Sequence, residues 1–117
     1  MGGMDAKVVD HPEAGRYEIR ISGTLAGFAE YRRDAGVVSF THTEVRPEFE
    51  GRGVGSTLAR EVLTASRAKG DAVLPFCPFI RAYIDDHREY VDLVPAAQRR
   101  RFGLDADEAP VTTRDDG

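Results

Sequence analysis

The stretch Glu50-Gly51-Arg52-Gly53-Val54-Gly55 decides how this chain is read. Upstream, Gly36 to Val45 is rich in Val, Phe and Thr, a strand composition. Downstream, Ser56 to Lys69 carries apolar residues at helical spacing. Three close glycines between a strand and a helix leave backbone N–H groups free at the helix entrance. That geometry suits an anion, most often a phosphate. An ordinary tight loop before a helix would use the same glycines. A Walker A loop is excluded because no Gly-Lys-Ser/Thr follows. A dinucleotide fingerprint is excluded because the turn follows four strands instead of opening the first βαβ unit.

Outward from the turn, the pattern before it is a meander. Lys7 to His11 reads as a short strand closed by Pro12. Arg16 to Ser22 alternates Tyr17, Ile19 and Ile21 against Arg16, Glu18 and Arg20, as a half-buried strand does. Leu25 to Arg33 follows, with Asp34-Ala35-Gly36 as a hairpin loop. Val37 to Val45 is expected to set Val38, Phe40, His42 and Glu44 on one face. After the turn, Val54, Leu58, Val62 and Ala65 form a stripe beside Leu63, and Gly70 supplies a C-cap. Val73-Leu74 opens another strand, closed by Pro75. Pro78 to His87 reads as a helix anchored by Phe79 and Tyr83, with Ile80 and Ile84 as further candidates. Tyr90 to Val94 fits a short helix ending before Pro95. The expected fold class is α+β (mixed α/β), an antiparallel meander followed by β-α-β-α.

One domain is the natural reading of 117 residues, assigned to 1–95. Residues 96–117 read as a mobile tail, basic at Arg99-Arg100-Arg101 and acidic beyond. A formal charge of −4 argues against a general nucleic-acid binder, though not against a basic partner such as a Lys-rich peptide or polyamine. The arginine run leaves a nucleic-acid-associated role as a further class, and a solvated chain end is the commoner explanation. No apolar run is long enough to span a bilayer and no secretory signal pattern is present, so the default location is cytoplasmic. The lone Cys77 permits neither an intrachain disulfide nor a multi-thiolate metal site, and no metal is expected.

Several motifs taken in order resemble the GCN5-related N-acetyltransferase superfamily. Its diagnostic Gln/Arg-x-x-Gly-x-Gly/Ala segment corresponds to Glu50 through Gly55, with Glu50 departing from the usual first residue. Thr43-Glu44-Val45, Pro75-Phe76-Cys77-Pro78-Phe79, Tyr83, His87 and Tyr90 resemble a small single-domain subgroup with a Pro-x-Cys-Pro-Phe motif. The likeness runs from Tyr17 to Val94. It implies an acetyl-CoA site, with pyrophosphate on the amides around Arg52 to Ser56 and pantetheine beside Val45 and the strand near Val73. It also implies that these two parallel strands splay apart, and that the acceptor groove is open. The cofactor-binding set on this reading is Val45, Gly51, Arg52, Gly53, Val54, Gly55 and Ser56.

Amine acetylation requires the acceptor in its neutral form, so a base is needed. Glu44, which ends the strand meeting the turn, is the leading candidate, with His42 orienting it or relaying its proton. A solvated carboxylate and a hydrogen-bonded histidine explain the same residues. Cys77, before a helix, is either an acetyl-carrying nucleophile, a lining of the thioester channel or an inert core thiol; direct transfer is placed ahead. Tyr83 and His87, at i and i+4, are candidates to protonate the departing thiolate. Phe76 and Phe79 read as packing. The expected function is acetyl-CoA-dependent N-acetyl transfer to an amine of a protein, peptide or polyamine. The alternative is a CoA-binding regulatory module without substantial turnover.

Overall fold

The computed structural model describes residues 5–105. Four antiparallel strands come first: β1 (Ala6–His11), β2 (Arg16–Ile21), β3 (Thr24–Asp34) and β4 (Val37–Val45). Helix α1 (Val54–Lys69), strand β5 (Ala72–Pro75) and helix α2 (Pro78–Asp86) follow, then short 3-10 turns at Arg88–Leu93, Ala96–Gln98 and Arg100–Phe102. The sheet order is β1-β2-β3-β4-β5, with only the β4–β5 pair parallel. This is the expected α+β class. A parallel pair needs a crossover, and α1 supplies it.

Two tight turns make the meander. Ser22-Gly23 and Ala35-Gly36 all have positive φ, from 49° to 85°. Paired left-handed residues form the turn whose twist matches the flanking strands. Helix α1 buries Val54, Leu58, Ala59, Val62, Leu63 and Ser66 on the sheet's inner face. Opposite them lie Tyr17, Ile19, Ala29, Tyr31, Val38 and Phe40. At its end, the Gly70 N–H reaches the carbonyls of Arg67 and Ser66 with φ 74°, a left-handed cap.

Three expectations are corrected. First, the register slips between Glu30 and Tyr31: Tyr31 opposes Phe40 while Glu30 opposes His42, leaving Thr41 as an extra residue in β4. A bulge reverses which side chains face the core. Val38 and Phe40 therefore point inward, but His42 and Glu44 point outward, and Thr43 and Val45 take over the inner side. Second, α2 buries Ile80 and Ile84 completely, whereas Phe79 is 41% exposed. Third, packing does not end at residue 95. Phe102 and Leu104 are buried, and the Arg88 guanidinium donates to the Leu104 carbonyl. Residues 106–117 of the expected tail lie outside the described residues.

A polar clasp closes the sheet's edge away from the glycine turn. Tyr31 donates its hydroxyl to Asp10, which also accepts from Lys69 at 3.1 Å. Burial, then the Asp10 contact, pushes the Tyr31 phenol up to about 12. The neutral phenol is thus favoured by folding. Its contribution is complete below pH 10, the ordinary tyrosine value, and is lost as pH rises through 12. A shift of that size corresponds to roughly 2–3 kcal/mol. Tyr31→Phe is expected to flatten this alkaline loss in stability, measured by urea unfolding between pH 9 and roughly 12. An unchanged alkaline slope would contradict the assignment.

Candidate active site

The decisive local event is the parting of β4 and β5. They pair from Val37/Ala72 to Phe40/Pro75 and no further. The Ala72 N–H faces β4, so Pro75 turns its missing N–H to the open edge of the sheet, and Phe76, the next donor toward β4, bonds back to the Leu74 carbonyl at 3.1 Å. The Phe40 carbonyl instead accepts the Cys77 N–H at 2.8 Å, and the chain turns into α2. Strand β4 continues for five more residues, Thr41 to Val45, with no β5 partner. The result is a gap bounded by backbone on one side and by the α2 entrance on the other.

At the wide end of that gap lies a cleft of about 290 Å³. Val45, Gly51, Gly53, Val54, Gly55 and Ser56 line it, as do Phe49, Glu50 and Phe79. Six of the seven expected cofactor contacts are therefore brought together. The seventh, Arg52, instead holds its guanidinium 5.4 Å from the centre of the Phe49 ring, beside the cleft. Gly51 and Gly53 have φ of 81° and 76°, backbone that side-chain-bearing residues rarely adopt. Gly53 is the N-cap of α1, with no side chain to satisfy the first helical amides. Those donors and the positive helix end face the cleft mouth.

Gly55 has a different reason to be glycine. A Cβ there would lie 2.8 Å from the Phe79 ring. The half-exposed Phe79 thus rests directly on the first turn of α1 and forms a wall of the cleft. Composition offered no means of separating this role from core packing. Gly27 is under a similar constraint: a Cβ there would sit 2.6 Å from the Glu44 carbonyl oxygen. Its absence lets β3 approach the part of β4 that lacks β5. A glycine within a strand is the signal that marks such close approach.

The candidate catalytic residues fall on two sides of β4. On the inner side, Cys77 is 2% exposed and its thiol donates to the Thr43 hydroxyl at 3.1 Å. On the outer side, His42 Nε2 lies 3.1 Å from Glu44 Oε1, with both side chains more than half exposed. The bulge at Thr41 keeps the two sets apart. Tyr83 and His87 form a third group. Their rings stack at 3.9 Å, and the His87 Nδ1–H donates to the Tyr83 carbonyl. Burial and the neighbouring Tyr90 raise the Tyr83 phenol above its ordinary value. Neither residue lines the glycine cleft.

The outer sheet face also holds an unforeseen carboxylate. Glu18 is 7% exposed and is held by Arg16 at 2.8 Å and Arg20 at 3.1 Å. The Arg16 hydrogen bond, supported by Arg20 and His11, keeps it below the ordinary carboxylate value against the cost of burial. Among the described residues, no group of three or more His, Cys, Asp or Glu could hold a metal ion. No described helix is long and apolar enough to cross a membrane.

Comparison with known families settles the relationship. The family model described as GCN5-related N-acetyl-transferase matches residues 16–93. The chain belongs to this family. The match takes in β2 to β4, the glycine turn, α1, β5 and α2. No curated protein matches the sequence. Among solved structures, Ard1 from Thermoplasma volcanium is similar at 21% identity and a TM-score of 0.45, over 50% of this chain and 41% of that one. The chain therefore spans about two fifths of the length of that protein.

Adding a methyl group at Gly55 tests the cleft wall. Gly55→Ala is expected to push the Phe79 ring toward the cleft while the fold tolerates it, because the ring is half exposed. Affinity for acetyl-CoA, the cofactor this family generally uses, should fall at least roughly five-fold by calorimetry, with the melting temperature within a few degrees of the parent. Unchanged affinity would remove Phe79 and Gly55 from the site.

Proposed function

We propose that this domain transfers an acetyl group from acetyl-CoA to an amine of a protein, peptide or polyamine. The observation that carries the reading is the continuity of two features: an anion-receptive helix entrance and an unpaired length of β4. The first offers backbone donors at Gly53 to Ser56 for a diphosphate. The second offers a strand edge to an extended, amide-containing arm. The residues present fit the group. Phe79 adds an apolar wall, and Arg52 lies close by for an outlying phosphate. Glu50 stands where the family usually has Gln or Arg, so the amides and the helix end carry the anion at that point.

When bound, acetyl-CoA supplies the acetyl group as an activated thioester. The chain's own contribution is to hold the carrier and to manage the proton of the acceptor. Glu44, bonded to His42 on the outer face, is the proposed base for an ammonium arriving from solvent. Its exposure fits an open groove that admits a side chain. Cys77 is assigned to the channel lining. Its thiol is occupied by Thr43 and lies on the face of β4 opposite the His42–Glu44 pair, so that pair is not placed to activate it. This favours direct transfer over an acetyl-cysteine route. Tyr83 and His87, stacked outside the cleft lining, receive no proton-transfer role here.

The test is transfer to a spermidine and lysine-peptide panel, followed by intact mass of the enzyme. Cys77→Ala is expected to retain acetyl transfer within about three-fold, and Glu44→Gln to lose roughly 10²-fold in kcat, with acetyl-CoA affinity unaltered. Stoichiometric acetylation of Cys77, with loss of transfer in Cys77→Ala, would replace this mechanism. Binding of acetyl-CoA without acetylation of any amine would favour a regulatory module instead.

A further inference from the structure

We propose that Phe28 is a positioning residue for the His42–Glu44 pair, held in turn by the Arg16–Glu18 ion pair. The inference rests on the reading of Glu44 as the base, and it extends that reading to residues outside the glycine cleft. Strand register puts all five side chains on the outer face: Glu18 opposes Phe28, and Phe28 opposes Glu44. Contacts then form an unbroken chain. Glu18 accepts two hydrogen bonds from Arg16, at 2.8 and 2.9 Å. The Arg16 guanidinium lies 4.5 Å from the Phe28 ring centre. The ring centres of Phe28 and His42 are 6.1 Å apart, tilted by 54°. His42 Nε2 meets Glu44 Oε1 at 3.1 Å.

Each link has a physical reason. A guanidinium on one side of a phenyl ring is attracted by the ring quadrupole and fixes its rotamer. The tilted ring then limits the swing of the His42 imidazole. An exposed imidazole–carboxylate pair would otherwise sample many geometries, which degrades proton transfer from a bound amine. The nearly buried Glu18 thereby gains a purpose: it anchors the guanidinium that anchors the ring. Truncating the ring leaves that anchor in place, because Glu18 keeps both arginines.

The experiment compares Phe28→Leu and Phe28→Tyr with the parent. With acetyl-CoA and the spermidine and lysine-peptide panel, Phe28→Leu should lose roughly ten-fold in kcat with KM for acetyl-CoA unchanged, and Phe28→Tyr should restore the parent rate. A second readout needs no turnover. In the parent, Glu44→Gln should move the His42 imidazole nitrogen resonances; in the Phe28→Leu background that response should shrink by at least half, and Phe28→Tyr should recover it. An undiminished His42 response in Phe28→Leu overturns the positioning role whatever the transfer assay gives. Parent-like transfer in Glu44→Gln sinks the base assignment and the catalytic part of this inference with it, and the resonance data tell that failure from the first.

Discussion

The early parting of β5 from β4 creates the site. The Phe76 N–H, next in line to face β4, turns back onto the Leu74 carbonyl, so the ladder stops at Phe40, whose carbonyl is taken by the Cys77 amide at the start of α2. One strand therefore ends in a helix cap while its neighbour runs on for five residues. The glycine turn that follows β4 then opens beside this unpaired edge. A strand edge and a helix entrance are each common. Their juxtaposition makes a receptor for a ligand with an anionic head and an extended polar arm.

A second irregularity distributes the chemistry. Had β4 been regular, His42 and Glu44 would have pointed to the core side with Phe40. The extra residue at Thr41 turns them to the uncovered face and gives the inner positions to Thr43 and Val45. Inward-facing and solvent-facing groups are thus separated by the thickness of one strand. Thr43 and Cys77 meet within the core, Val45 meets the cleft, and Glu44 meets solvent. Gly27 allows β3 to support this stretch closely from the other side.

The legible parts of the fold were those with a local period or a backbone requirement. Tyr17, Ile19 and Ile21 alternate as a half-buried strand and are buried as expected. Gly70 and Gly36 occupy left-handed turns that their neighbours announce. The glycine cleft was legible for the same reason, since three closely spaced glycines are hard to explain within an element. The bulge is only faintly legible, because its cause is pairing with β3 and its one trace in the sequence is that apolar Val38 and Phe40 give way to polar His42 and Glu44 before Val45. Phe79 was misread because an aromatic at helical spacing looks the same whether it meets a core or a cleft. Phe102 and Leu104 were missed because two apolar residues in a charged segment carry no period. Arg16 and Glu18 read as the polar side of a half-buried strand, Phe28 carries no signal of its own, and only strand register joins the three to His42.

On the proposed function, acetyl-CoA occupies the gap between β4 and α2, with its diphosphate at the entrance of α1. Backbone amide shifts on titration with acetyl-CoA test it most directly. The largest changes are expected at Gly53 to Ser56, at Thr43 to Val45 and at Cys77, with little change at Lys7, Arg20 and Arg32. This occupancy would be contradicted by no saturable change, or by changes confined to the separate cavity of about 320 Å³ that Val8, Thr57, Arg60 and Glu61 help to line.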